Sequence, residues 1–279
     1  MQVSPHVYVM HIDDGAVSHP GGSNNYFVGD PREAMVLIDT GDQHRDWTRS
    51  LLQYYEQLGR PRISSILLTH SHHDHIGGLD RVYEVMPAPV RCHPRLVAKL
   101  QTMVEKDAVV ALQPDEMIGT GGGITLQSLF TPGHEVDHVS YYLGDESVLF
   151  TGDCILGGSS TTVRDLTTYM QSLTLLNRYP HQIICPGHGP VVLPPRGSEL
   201  VRWYIDHRLE RELQVLAALG KGLGTIEEIT REVYPADLPV GLRRGAEQNV
   251  ATHLEKLVQE GRLDETPARY RLRNPAQNL

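Results

Sequence analysis

Thr69-His70-Ser71-His72-His73-Asp74-His75-Ile76-Gly77-Gly78 is the stretch from which the rest of the chain can be read. His70, His72, Asp74 and His75 form the pattern His-x-His-x-Asp-His, three imidazoles and a carboxylate within six residues. Neutral imidazole and carboxylate oxygen are ligands suited to zinc. The run before them, Ile63 to Leu68, is apolar and β-branched, as a buried strand requires. The run after them, Ile76 to Met86, places Leu79, Val82, Tyr83 and Met86 at helical spacing. The ligands therefore fall on a strand-to-helix loop, where α/β folds carry their chemistry.

The same arrangement recurs downstream. Ile124 to Thr131 alternates as a strand and runs into Thr131-Pro132-Gly133-His134. Ser147 to Phe150 leads into Thr151-Gly152-Asp153-Cys154, and Gln182 to Cys185 into Pro186-Gly187-His188-Gly189. Each strand exit carries one ligand type beside a glycine or proline that lets the backbone turn. His70, His72 and His134 would serve one ion, and Asp74, His75 and His188 a second. Asp153, with two oxygens, would bridge them. A bridging hydroxide completes both shells and supplies a nucleophile at neutral pH, with Asp74 orienting it. Two zinc ions are the expected cofactor, with manganese or iron as substitutes. Asp39, at the end of the strand Ala34–Ile38, reads equally as a partner for the outer nitrogen of a ligand histidine or as a turn cap.

Composition bounds the alternatives. The chain has 279 residues, a formal net charge of -9 and the apolar content of an ordinary globular protein. Excess acid argues against binding nucleic acid over the whole surface. The three cysteines, Cys92, Cys154 and Cys185, are widely spaced and form no Cys-x-x-Cys pair, so reduced thiols are expected. There is no leader pattern at Met1 and no apolar run near ~20 residues, so a cytoplasmic protein without membrane spans is expected.

Further elements follow from periodicity. Val7–Ile12 is a strand, and Asp13–Gly22 is turn-rich. Residues 25–28 and 34–38 form a hairpin, and Asp46–Leu58 an amphipathic helix. Val90–Cys92 is a short strand, Leu96–Val104 is helical, and His93 reads as structural or at the rim. Asp115–Gly123 is a glycine-rich turn, Leu166–Leu176 a helix and Val191–Leu193 a short strand. Pro194-Pro195-Arg196-Gly197-Ser198 marks the best boundary, dividing residues 1–196 from 197–279. Beyond it come helices at Glu199–Leu219, Ile226–Val233 and Arg244–Glu260. The second opens on a Thr225/Glu228 capping box. A strand at Tyr270–Arg273 completes a winged-helix-like pattern.

Taken together, His-x-His-x-Asp-His, Pro-Gly-His134, Gly-Asp153 and Gly-His188-Gly resemble the metallo-β-lactamase superfamily over roughly residues 1–195. Within it the chain resembles the β-lactamase-like protein 2 branch. Gly152 to Gly157, Thr161-Thr162-Val163, Asp165-Leu166, Tyr169-Met170, Ser172-Leu173, Asp137-His138, His207-Arg208 and Arg211-Glu212 carry that likeness. The resemblance implies an α/β fold, a four-layer αββα sandwich followed by a winged-helix-like domain. It implies a hydrolase acting on single-stranded RNA, as animal members do, or on thioesters, as fungal members do. Lactone and ester hydrolysis share the same ligands. It also brings His207, Arg208, Tyr169, Thr161 and Thr162 forward as substrate-cleft residues. Ser71, where an aromatic residue is frequent, and Ser23-Asn24-Asn25-Tyr26, in place of Asn-Thr-Tyr, depart from the branch.

Asp153 in place of a cysteine argues against the commonest zinc β-lactamases. His72 in place of a glutamate argues against a diiron oxygen-reducing enzyme. A metal-sensing nucleic-acid-binding protein is the non-enzymatic alternative. The C-terminal Arg243, Arg244, Lys256, Arg262, Arg269, Arg271 and Arg273 are nearly balanced by Glu247, Glu255, Glu260, Asp264 and Glu265. That is short of the basic stripe expected of a DNA reader, so a cleft wall is the expected role.

Overall fold

Side chains of alternating direction lay down two sheets, and the helices that join parallel strands must then pack on the outer faces. This arrangement is seen in a computed structural model that describes residues 1–13, 15, 21–238, 240–266 and 269–272. Strands β1 (Gln2–Ser4), β2 (Val7–Ile12), β3 (Ser23–Asp30) and β4 (Ala34–Ile38) are antiparallel neighbours. Helix α1 (Arg45–Gln57) leads to β5 (Ile63–Leu67). Helices α2 (His73–Ile76) and α3 (Leu79–Val85) lead to β6 (Val90–Cys92), and α4 (Val97–Leu100) to β7 (Val109–Ala111). From β4 onward the pairing is parallel, and the seven strands lie in chain order.

The second sheet is an antiparallel meander of β8 (Met117–Gly119), β9 (Thr125–Phe130), β10 (Val139–Leu143) and β11 (Val148–Gly152). Helix α5 (Leu166–Leu176) then carries the chain back so that β12 (Ile183–Pro186) lies parallel to β11. Helices α6 (Arg196–Gly220), α7 (Ile226–Val233) and α8 (Val240–Gln259) follow, with a hairpin of β13 (Leu263–Thr266) and β14 (Arg269–Leu272).

Three apolar seams make four layers. Phe27, Leu37 and Ile66 meet Leu51 of α1 and Leu79 and Val82 of α3 on the outer face of the first sheet. Val28, Val36 and Ile38, the alternate residues, meet Leu126, Tyr141 and Phe150 between the sheets. Leu129, Leu149 and Ile184 turn outward to Tyr169 and Leu173 of α5 and Leu200 and Tyr204 of α6. The αββα order matches the sequence-based expectation. Helix α6 is roughly 37 Å long at 1.5 Å per residue and serves two cores. Its far end contributes Val215, Ala218 and Leu219 to a cluster with Ile229, Val250, Leu254, Leu257 and Leu263. The Thr225/Glu228 capping box forms as expected.

Several elements differ from expectation. The helix expected over Ile76–Met86 is broken into α2 and α3, because Gly77 and Gly78 lie against the Thr40–Gln43 backbone. A Cβ on Gly77 would stand 2.6 Å from Gln43 N, and one on Gly78 2.5 Å from the Thr40 carbonyl oxygen. The helix expected at Leu96–Val104 shrinks to one turn, and Val191–Leu193 contributes only the bridge between Val192 and Ile184. Strands β1, β7 and β8 have three residues each, too few for a period to show. Most of Asp13–Gly22, and Arg273, lie outside the described residues. Among the described residues no helix is long and apolar enough to cross a membrane.

Because the contacts at Gly77 are with backbone, Gly77→Ala should lower unfolding stability by about 1–3 kcal/mol. Urea denaturation measures this, and an unchanged midpoint would show that the loop gives way freely.

Candidate metal centre

The exits of β4, β5, β9, β11 and β12 meet along one edge of the sandwich. There His70, His72, His134 and Asp153 form one group of potential ligands and Asp74, His75 and His188 another. Within each group the donor atoms lie within 4.8 Å of one another. Asp153 stands between the groups: its Oδ1 is 3.4 Å from His75 Nε2, and its Oδ2 is 3.3 Å from His188 Nε2 and 3.7 Å from His134 Nε2. Asp74 Oδ2 lies 3.2 Å from His188 Nε2. All seven side chains are buried except His72, which is partly open to solvent.

The outer nitrogens decide which way each imidazole presents a lone pair. His75 Nδ1 donates to Asp39 Oδ2 at 2.7 Å, and His134 Nδ1 to the Thr162 carbonyl at 2.8 Å. His72 is turned over, so that its Nε2 donates to Glu135 Oε1 at 2.6 Å and its Nδ1 faces inward. These acceptors carry no proton of their own, so the tautomers follow. His188 Nδ1 pairs with Ser23 Oγ at 2.8 Å, and His70 Nδ1 with Thr69 Oγ1 at 3.0 Å. Thr69 Oγ1 itself donates to Asp39 Oδ2. Asp39 therefore orients a candidate ligand histidine as well as closing the turn.

The inner atoms fit a cation. His72 Nδ1 and His134 Nε2 are 3.3 Å apart, as are His75 Nε2 and His188 Nε2. Two nitrogens each ~2.0–2.1 Å from a shared tetrahedral ion stand about 3.3 Å apart. His70 Nε2 and Asp153 Oδ1 are buried without a hydrogen-bond partner among the described residues. Burial and the nearby His75 push His70 well below its ordinary pKa, which keeps its lone pair free. Burial pulls His75 down, but the Asp153 and Asp39 carboxylates prevail and hold it well above its usual value. The same contest, won by Asp153 and Asp74, takes His188 up to about 9. The buried carboxylates thus draw positive charge, as protons or as metal.

Three supports went unrecognised in the sequence. His138 is fully buried, accepts from Asp153 N–H at 3.1 Å and pairs with Thr131 Oγ1 at 2.8 Å, which sets the turn that aims Asp153. Glu135 grips His72 and is itself held by Arg164 Nε at 2.7 Å. Asn24 Nδ2 donates to the Pro186 and Gly189 carbonyls, and Tyr26 Oη donates to Pro186, so the Ser23–Tyr26 segment clamps the His188 loop. For Glu135 the available signal was a carboxylate directly after a ligand histidine.

Above the centre opens a cleft of about 810 Å³. His72, His73, Asp74, His134, Asp153 and His188 line its floor. Thr161, Thr162 and His207 are on its wall. Arg208 and Tyr169 are not at its surface: they are 3% and 0% exposed and packed behind it. Arg208 Nη2 donates to the Thr161 carbonyl at 2.7 Å, and Tyr169 Oη to the Cys154 carbonyl at 2.7 Å. They hold the wall from within. His73 is exposed and turned toward Asp42, away from the ligand set. Cys92, Cys154 and Cys185 are free and buried. His93 accepts from Arg95 N and packs on Phe130, as a structural residue.

A sequence model of the metallo-beta-lactamase superfamily matches residues 19–188, and one of the beta-lactamase associated winged helix domain matches residues 225–270. A beta-lactamase-like protein 2 homolog of Caenorhabditis elegans is 34% identical over 86% of this chain and 80% of its own length. An atrochrysone carboxyl ACP thioesterase of Aspergillus chevalieri is 34% identical over 76% of this chain and 68% of its own. A metallo-beta-lactamase family protein of Thermus thermophilus superposes with a TM-score of 0.74 at 24% identity, covering 97% of this chain and 99% of the other.

Asp39→Asn keeps the size of the side chain but weakens the acceptor for His75 Nδ1. Affinity for a divalent metal at the Asp74/His75/His188 group should fall about 10–100-fold. Chelator competition measures it, and unchanged affinity would remove Asp39 from the support of the centre.

Proposed function

We propose that this chain, a hydrolase that belongs to the metallo-beta-lactamase superfamily, uses two zinc ions to cleave acyl thioesters or closely related esters. His70, His72 and His134 would hold one ion and Asp74, His75 and His188 the other, with Asp153 between them. Manganese or iron suits the same nitrogen and oxygen donors. When bound, such ions acidify a water and polarise the acyl carbonyl. Asp74 accepts a hydrogen bond from the attacking water on its carboxylate and fixes its line of approach. Asp39, Glu135, Thr162 and Ser23 keep the imidazoles from rotating as the substrate enters. A leaving thiol, with an ordinary pKa of about 8.5, departs more readily as the anion than an alcohol does.

The character of the cleft carries this reading. Leu156, Leu238, Leu242 and Ala246 give it an apolar wall, and among the described residues Arg211 is the one arginine or lysine that lines it. Single-stranded RNA is held by a track of cations along its backbone, which one arginine does not supply, so the cleft gives the RNA expectation no support. An acyl chain beside a metal floor fits it. The basic residues of the C-terminal region are largely engaged elsewhere. Lys256 and Arg262 pair with Glu212 and Glu260, and Arg269 with Glu228. The first turns of α8, with Gly241, Gly245 and Asn249, face the cleft. This supports a substrate wall over a nucleic-acid reader. The thioesterase named among the relatives agrees with it.

Zinc-loaded protein should hydrolyse short acyl thioesters and leave end-labelled single-stranded RNA intact. Chelation should abolish turnover and added zinc restore it, while Asp74→Ala should lower the rate about 10²–10⁴-fold. RNA cleavage by the parent protein that disappears in Asp74→Ala would reverse the assignment.

A further inference from the structure

A guanidinium cannot shed its proton, so a buried arginine needs an anion or a full set of acceptors. Arg208 is 3% exposed, yet no carboxylate among the described residues pairs with it. Nη2 reaches the Thr161 carbonyl at 2.7 Å, Nη1 reaches Asn249 Oδ1 at 3.5 Å, and the plane lies over Tyr169, 5.3 Å from the ring centroid. Its Nε is buried without a partner among the described residues. Arg211, one turn further along α6, also lacks a carboxylate among the described residues. Its Nη1 donates to the Val233 carbonyl at 3.1 Å, and its guanidinium sits 4.2 Å from the Tyr234 ring centroid. The adjacent carboxylate, Glu212, is taken by Lys256 at 2.7 Å and Arg262 at 2.6 Å.

Two buried or half-buried histidines lie close to these arginines. His253, 1% exposed and with both ring nitrogens unpartnered among the described residues, is brought down to about 3 by burial and then by Arg208, Arg211 and Lys256. Burial, and then the same two arginines, also lower His207 against the opposing pull of Glu210. This positive charge occurs in a chain whose net charge is -9. It lies at the cleft. Thr161 and Asn249, the two residues that Arg208 joins, both line the cleft, as do His207 and Arg211.

We propose that this wall is a subsite for one anionic group of the substrate, a carboxylate or a phosphate, received by Arg211 with His207 and Asn249, while Arg208 adds its positive charge from behind the wall. The group sits on the substrate away from the bond that is cleaved. The reading rests on the thioesterase proposal for the identity of that bond. It separates the substrate from a nucleic acid, which would need a row of such sites, and from a wholly neutral acyl thioester.

Thioether analogues that cannot be hydrolysed test it in zinc-loaded protein. Three compounds of equal length would end in a methyl, a carboxylate or a phosphate monoester, and their affinities would be measured calorimetrically. One or both anionic compounds should bind about 10–100-fold tighter than the methyl compound, and their order identifies the anion. In Arg211→Met the anion preference should fall toward one, and in Arg208→Gln, which removes the charge behind the wall, it should shrink severalfold. Arg211 is partly exposed, so its variant carries the test if Arg208→Gln fails to fold. Equal binding of all three compounds would overturn the subsite. So would a preference that survives both substitutions, since the metal ions would then be holding the anion. Because no turnover is involved, a failure to hydrolyse thioesters would count against the thioesterase reading alone.

Discussion

Five imidazoles and two carboxylates can share a small buried space only if every ring is prevented from turning. The hydrogen bonds on the outer nitrogens do this. Asp39, Glu135 and the Thr162 carbonyl each accept an N–H, and Ser23 and Thr69 supply hydroxyls to the other two rings. The lone pairs are thereby aimed at common points, and nitrogens 3.3 Å apart face each other across them. Without those acceptors the rings could rotate or take up protons, and the centre would lose its affinity for a cation.

The sandwich exists, in this sense, to deliver acceptors as much as ligands. Asp39 and Thr69 come from the parallel neighbours β4 and β5, so their contact is fixed by strand register. Ser23 starts β3 in the first sheet, whereas His188 follows β12 in the second. A shift of one sheet against the other would separate them. The apolar seam through Val36, Ile38, Tyr141 and Phe150 therefore bears on metal affinity as well as on stability.

The C-terminal region is tied to the same geometry through α6. That helix is shared between two cores, and from its middle Arg208 supports the Thr161 carbonyl, next to the carbonyl that orients His134. A helix that walls the cleft thus also braces one ligand. Among the described residues the cleft lining is apolar on one side with one partly exposed arginine, Arg211, in front of the buried Arg208.

His-x-His-x-Asp-His, and the later His134, Asp153 and His188, were legible in the sequence because each lies at a strand exit beside glycine or proline. That is a local pattern, and backbone periodicity locates it. The four-layer order was implied by the family resemblance that this set of motifs carries. The supports were not legible: Ser23 and His188 are 165 residues apart, and His72 and Glu135 are 63 apart. Nothing in either neighbourhood specifies the partner. The break between α2 and α3 was hidden for a similar reason, since only the packing of Thr40–Gln43 against Gly77 and Gly78 requires it. Arg208 and Tyr169 looked like cleft residues, and the fold buried them behind the wall instead. The sequence by itself determined which atoms could bind metal and where the main strands and helices lie, because both depend on residue type and local spacing. Tertiary structure alone decided how those atoms are aimed and what the cleft admits, because both depend on contacts between segments remote in the chain.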